Sequence, residues 1–279
     1  LNYTIAKDVM PNYIEPSGFI LLRVVGGVFL FLICYIFFIR ERVDKKDYFS
    51  FALCGLFGVA INQLFFFEGL NLTTPINAAI IMTTNPILVI VISAFLIGEK
   101  ITLQKIIGIF FGIVGAGTLI LNLGSISFDN YFFIGNILVF INATSYAIYL
   151  VLVKGLMTKY QPLTVMFFVF LFGFFFVFPF GYHQLTSINI DLFTNDIYLK
   201  VLFVVVCTTF IAYLFNAFAL KTLSPSVVSI YIYLQPVLAS VIAIIYNSDS
   251  IDYIKILSSF FIFTAVFLVS IPSKKVITN

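Results

Sequence analysis

Asn62 and Gln63, Asn77, Thr84 and Asn85, Asn142, Tyr146 and Tyr149, Tyr213 and Asn216, and Tyr231 and Gln235 all lie inside runs that are otherwise dominated by Phe, Ile, Leu, Val and Ala. Amides, hydroxyls and phenols donate and accept hydrogen bonds, so the chemistry they offer is recognition of a small polar molecule. Buried in an apolar medium, an unpaired polar side chain costs free energy, so each must face a partner helix or a wet cavity. Asn77, Ile81, Thr84, Asn85 and Leu88 share one face at a period of 3.6, and Tyr231 and Gln235 fall on the matching face of a later stretch. These two faces are expected to meet near mid-membrane. Pro86 and Pro236 sit beside Asn85 and Gln235, and each leaves the carbonyl four residues earlier, Met82 or Ile232, without its helical donor. Such a carbonyl serves either as a substrate contact or as a plain packing kink.

Other reactive residue types are sparse. Glu68 is the one carboxylate well inside an apolar run, where burial would raise its pKa and suit it to carry a coupling proton, while nearness to the helix end favours reaching out to water. Arg23 is similarly placed and is expected to snorkel. Lys7 and Lys154 occupy matching helix ends. The single histidine, His183, has no neighbour at metal spacing and reads as a solvated loop residue. Cys34, Cys54 and Cys207 stand singly in apolar segments, as core residues do. There is no Ser, His, Asp constellation, no phosphate loop and no HExxH motif, and no metal or cofactor is expected. The net charge of +3 is too small to suggest nucleic acid as a partner.

The elements that must position these residues follow from composition. Of 279 residues 62% are hydrophobic and 10% charged, with 36 Phe, too little charge to cover a water-soluble surface. Spanning about 30 Å of hydrocarbon takes roughly 20 apolar residues as a helix, and segments of that length recur. The expected fold is an all-α integral membrane protein of ten transmembrane helices: a tail of a first helix ending near Asn12, then Ser17 to Ile39, Tyr48 to Gly69, Pro75 to Ile97, Thr102 to Asn122, Tyr131 to Lys154, Pro162 to Tyr182, Ile197 to Lys221, Pro225 to Tyr246 and Tyr253 to Ile271. Lys7, Met10 and Tyr13 match Lys154, Met157 and Tyr160, so the chain is expected to begin inside its first spanning helix.

The stretch Thr73 to Lys105 returns as Leu223 to Lys255 without a gap. Pro75 matches Pro225, Asn85-Pro86 matches Gln235-Pro236, Glu99 matches Asp249 and Lys105 matches Lys255. Residues 1–123 and 131–273 are therefore two copies of one five-helix unit, joined by the polar link Gly124 to Asn130. An odd number of spans per copy requires the two to lie in the membrane with opposite orientation. One side carries Arg40, Arg42, Lys45, Lys46, Lys100, Lys105, Lys154, Lys159, Lys221, Lys274 and Lys275, and the other Lys7, Arg23, Lys200 and Lys255. This excess places both termini in the cytoplasm. With no Trp in the chain, Tyr13, Tyr48, Tyr131, Tyr160, Tyr182, Tyr198 and Tyr253 serve as interface anchors near helix ends.

Leu64 to Ile120 resembles the EamA repeat of the drug/metabolite transporter superfamily. The resemblance rests on Glu68 to Thr73 at a helix end, the central Pro86, the Gly98 to Thr102 turn, and Gly108, Gly112, Gly115 and Gly117 in the following helix. The second copy keeps Ala219, Leu220, Pro225 and Pro236 but has Ser248, Asp249 and Ser250 in its turn and no glycine run. What the resemblance implies is a ten-helix carrier working by alternating access, here expected to be an exporter of small polar or amphipathic metabolites such as amino acids in the bacterial inner membrane. Its partners would be substrate and bilayer, with the chain monomeric or a weak homo-oligomer. A membrane-embedded enzyme acting on lipid or prenyl substrates is the alternative, but it would need clustered acids, histidines or metal ligands. A channel would need a charged ring or continuous polar stripe.

Overall fold

The computed structural model describes residues 5, 8–39, 41–122, 132–188, 193–245 and 253–271. Lys7, Arg40, the Gly124 to Asn130 link, Tyr131, Tyr246, the Ser248 to Ile251 turn, Lys274 and Lys275 lie outside them. The elements are α1 (Pro16–Phe38), α2 (Lys45–Leu72), α3 (Pro75–Met82), α4 (Asn85–Ile97), α5 (Leu103–Asn122), α6 (Phe133–Met157), α7 (Pro162–Thr186), α8 (Asn195–Thr222), α9 (Pro225–Ile230), α10 (Leu234–Ile245) and α11 (Tyr253–Ser270). No strand occurs among the described residues.

Among the described residues, seven helical stretches are long and apolar enough to cross a bilayer: α1, α2, Asn77–Ile97, α6, α7, α8 and α11. The stretches Leu103–Thr118 and Pro225–Leu238 are apolar but shorter. The ten expected spans differ from these seven at the first helix, which falls mainly outside the described residues, and at the fifth and ninth. Phe37, Phe38 and Phe95 are 76%, 76% and 85% exposed, a surface that suits hydrocarbon and would be untenable in water.

The helices begin and break where local chemistry dictates. Pro16, Pro75, Pro162 and Pro225 each stand in a helical first turn, where no N–H is needed. Thr74 Oγ1 accepts from Asn77 N at 3.1 Å, and its repeat mate Ser224 Oγ accepts from Val227 N at 3.4 Å. Gly98 closes α4 in the left-handed conformation at φ 66°, and Glu99 N reaches back to Ser93 O at 3.2 Å. The irregularities are duplicated as well. A π-turn interrupts α2 over Leu56–Ile61 and α8 over Val204–Ile211. The span that the first proline breaks opens between α3 and α4 at Thr83 and Thr84, and the second opens through a 3-10 turn at Tyr231–Tyr233.

Packing is most extensive between α5 and α11, α1 and α7, and α2 and α6. The α5 and α11 helices are repeat mates and run antiparallel: a Cβ on Gly108 would meet Val269 and Ala265, whereas one on Gly115 would meet Ser258, Phe261 and Ile262. Gly112 admits the ring of Tyr233. Gly117 has nothing within 4 Å, so of these four glycines only Gly108 and Gly115 meet α11. Near the chain start, Asp8 and Val9 are helical and Lys200 Nζ holds Asp8 Oδ2 at 3.1 Å.

Two expectations are corrected here. His183 is exposed within the last turn of α7 rather than in the following link, because α7 runs on to Thr186 and Gln184 Oε1 anchors that turn by accepting from Gly18 N at 2.9 Å. Arg23 does not snorkel. It is 4% exposed, walled in by α2 and α8.

The turn after α4 is tied across the two halves. Glu99 Oε1 pairs with Lys105 Nζ at 2.6 Å, and Glu99 Oε2 accepts from Ser226 Oγ at 2.8 Å. Burial opposes ionisation of Glu99, but hydrogen bonds from Lys105, Ser224 and Ser226 and the Lys105 charge outweigh it and hold the carboxyl below its ordinary range. A depressed folded-state pKa contributes stability above the unfolded value of about 4.3 and loses it as the pH falls through the folded value. Glu99→Gln is therefore expected to lower stability by about 2 kcal/mol at neutral pH. The gap in melting temperature to the wild type should close as the pH is taken below about 4, which a pH series of thermal melts in detergent checks.

Candidate functional site

The sequence-predicted polar residues gather unequally. Asn62 and Gln63 sit on α2 just after its π-turn, where the extra residue per turn rotates both inward; both are buried. Gln63 Nε2 donates to Tyr213 OH of α8 at 3.4 Å, and Tyr213 OH lies 3.3 Å from Asn62 Oδ1 and 3.2 Å from Gly58 O. From α6, Asn142 Nδ2 donates to Asn62 O at 2.7 Å and Ser145 Oγ to Phe57 O at 2.6 Å. Asn216 of α8 donates to Tyr146 OH of α6. Asn85, at the head of α4 and fully buried, donates through Nδ2 to Ala143 O of α6 at 2.8 Å. Helices α2, α4, α6 and α8 thus share one continuous polar band across the interior.

The band is only half satisfied. Gln63 Oε1, Asn85 Oδ1, Asn142 Oδ1 and Asn216 Oδ1 are buried acceptors with no hydrogen-bond partner. Leaving a buried acceptor unmet costs about 1–3 kcal/mol. Four such oxygens fall within this one band, whereas the other unpartnered buried groups, the hydroxyls of Ser93, Ser258 and Ser270, lie outside it.

The remaining predicted residues lie elsewhere. Tyr149 points its hydroxyl to Met166 Sδ of α7 at 3.8 Å and packs its ring beneath Gly58, so it supports the band from behind. Thr84 Oγ1 bonds back to Ile81 O at 2.7 Å, and Asn77 is buried in the first turn of α3. Tyr231 and Gln235 are exposed. Tyr233 faces the first half instead, and its OH donates to Thr83 O at 3.0 Å. The 3-10 turn advances about 120° per residue in place of 100°, and the notch at Gly112 receives the Tyr233 ring. The two proline-broken spans therefore meet at their breaks, through the Thr83 carbonyl, one residue on from the expected Met82. Pro86 is buried at the head of α4, and Pro236 lies at the head of α10.

Glu68 is half-buried near the far end of α2 and accepts from Ser17 Oγ at 2.8 Å. Lys154 Nζ donates to Leu220 O at 2.7 Å and Leu223 O at 2.9 Å, closing the end of α8. Sequence reasoning missed Tyr233, Thr209 and the inward turn of Arg23. Thr209 and Tyr233 occupy apolar runs and carried the same signal as their neighbours in the band.

The sequence profile of the EamA-like transporter family matches residues 2–121 and 133–271. The chain is 23% identical over 245 residues to the uncharacterized transporter YyaM of Bacillus subtilis, with 86% of this chain and 80% of that protein covered. It is 25% identical over 228 residues to an uncharacterized transporter of Archaeoglobus fulgidus, covering 82% and 79%. A protein of known crystal structure superposes with a TM-score of 0.77 at 17% identity, over 96% of this chain and 91% of the other, a likeness of fold alone. Two profile matches that together cover most of the chain, apolar helices of spanning length and relatives named as uncharacterized transporters agree: this integral membrane protein belongs to the EamA-like transporter family.

Proposed function

We propose that the protein is a secondary carrier, an exporter of small polar or amphipathic metabolites such as amino acids, acting by alternating access in the bacterial cytoplasmic membrane with both termini in the cytoplasm. In this reading ten helices form two inverted five-helix units, and the antiparallel packing of the repeat mates α5 and α11 supports that inversion. The observation that carries the proposal is the band of Asn62, Gln63, Asn85, Asn142, Tyr146, Tyr213 and Asn216, in which the amide oxygens of Gln63, Asn85, Asn142 and Asn216 lack donors. The band lies beside the two broken spans, the usual place for substrate in carriers built from inverted repeats. The contacts Tyr233 to Thr83 and Ser226 to Glu99 bridge the halves and would break and re-form as access alternates. In this reading Glu68, half-buried and accepting from Ser17 Oγ, is the candidate for carrying a coupling proton.

The test is flux in proteoliposomes. Asn85→Leu keeps the branched shape but replaces the amide oxygen and nitrogen with methyl groups, and flux is expected to fall at least about tenfold, corresponding to about 1.4 kcal/mol, with expression and melting retained. Gln235→Leu, on the exposed face, is expected to act more weakly. Unchanged flux in Asn85→Leu would count against this site.

A further inference from the structure

Arg23 is the feature that the polar band does not explain. Its side chain enters from α1, is 4% exposed, and donates through Nε to Thr209 Oγ1 at 3.0 Å. The guanidinium carbon lies 4.7 Å from the centre of the Phe67 ring. Among the described residues it has no ion pair and no other hydrogen bond. The protein does pair another buried cation: Lys105, 7% exposed, holds Glu99 at 2.6 Å. Around Arg23 every identified neighbour is neutral. Phe67 is one turn from Gln63 on α2, and Thr209 about one turn from Tyr213 on α8, so the pair Gln63 and Tyr213, joined at 3.4 Å, lies one helical turn on from the residues that hold the guanidinium.

A desolvated cation facing only a hydroxyl and an aromatic face is under-compensated, since cation–π attraction offsets only part of the cost of removing a charge from water. Its two terminal amino groups present the parallel N–H fork that matches a carboxylate or phosphate. One guanidinium with no second cation beside it neutralises a monoanion; a phosphate group carrying about −1.5 to −2 would leave excess charge among acceptor oxygens. In the band one turn away, Gln63 Oε1 and Asn142 Oδ1 are buried without donors.

We infer that Arg23 is the anchor for the carboxylate of the transported molecule, with the unpartnered amide oxygens of the band receiving a donor carried beside that carboxylate. The substrate class is then a small α-amino or α-hydroxy monocarboxylate. This inference rests on the carrier reading and sharpens it.

The experiment measures binding without transport. Purified wild type, Arg23→Met and Arg23→Lys are melted in detergent with L-alanine, L-leucine, L-threonine, L-phenylalanine and L-lactate, each beside its uncharged amide, and with inorganic phosphate. At least one acid is expected to raise the wild-type melting temperature while its amide and phosphate do not. Arg23→Met should melt no lower than wild type without ligand, because it removes an unpaired buried charge, and should lose the shift. Arg23→Lys, charged but without the fork, should weaken the apparent affinity at least about tenfold, and it decides the matter should Arg23→Met not fold. A shift retained in either variant, equal shifts from acids and amides, or no shift with any acid overturns the inference. Flux of a neutral solute that Asn85→Leu abolishes, together with any of those results, would overturn the Arg23 assignment and leave the carrier reading standing.

Discussion

Gly58→Ala is expected to destabilise the protein by about 3 kcal/mol, near the upper end of what a single added methyl does in a filled core. A Cβ at this position would stand 2.3 Å from Cδ2 of the Tyr149 ring and 2.6 Å from its Cγ. The ring cannot retreat: Tyr149 is among the largest fully buried side chains, and its hydroxyl is already against Met166. The strain therefore passes into the π-turn that carries Gly58. That turn supplies the carbonyls of Phe57 and Gly58 that receive Ser145 and Tyr213. Stability and flux should consequently fall together. Gly58→Ala combined with Tyr149→Leu, which removes the opposing ring, should recover most of the melting temperature; a double mutant no better than the sum of the two single changes would refute this account.

Gly115→Leu is expected to have a larger effect still, with a loss of more than about 4 kcal/mol and little folded protein recovered. The nearest atom to a new Cβ is the Ser258 carbonyl oxygen at 2.8 Å, followed by Ile262 and Phe261 side-chain atoms at 2.9 and 3.0 Å. Backbone cannot step aside as a flexible side chain can, so α5 and α11 would have to separate along their whole seam. Between helices in lipid there is no water to exclude, and close packing is what holds them together. Two positions along, Gly117 has open space around it, and Gly117→Ala should be neutral or raise stability by up to about 1 kcal/mol through the restricted unfolded chain. Size-exclusion profiles and melts of the two variants side by side separate a packing role from a general intolerance of substitution in α5.

Two helix spans show how far local chemistry reaches. Pro75 and Pro225 place helix starts, Gly98 places a helix end, and Pro86 and Pro236 place the breaks, because a missing N–H or a positive φ acts on the residue's own backbone whatever surrounds it. Some local features also recur 150 residues apart or nearly so: the Thr74 and Ser224 caps and the π-turns of α2 and α8. The polar set on α2, α6 and α8 was legible for the same reason, since amides in an apolar run must find company. Tyr231 and Gln235 were not placed correctly by periodicity, because the intervening 3-10 turn changes the rotation per residue and the Gly112 notch selects Tyr233.

What the amino-acid sequence determined by itself is where the chain is apolar, where its prolines start and break helices, and that the pattern of Thr73 to Lys105 returns in Leu223 to Lys255; these are properties of backbone and solvent partition, felt residue by residue. The tertiary structure alone decided which way the long side chains point. Arg23 has the same reach toward either water or the interior, and only the arrival of Thr209 from α8 and Phe67 from α2 turns it inward. A side chain's direction depends on which neighbours wall off the other route, and those neighbours are brought together by the fold and not by their spacing along the chain.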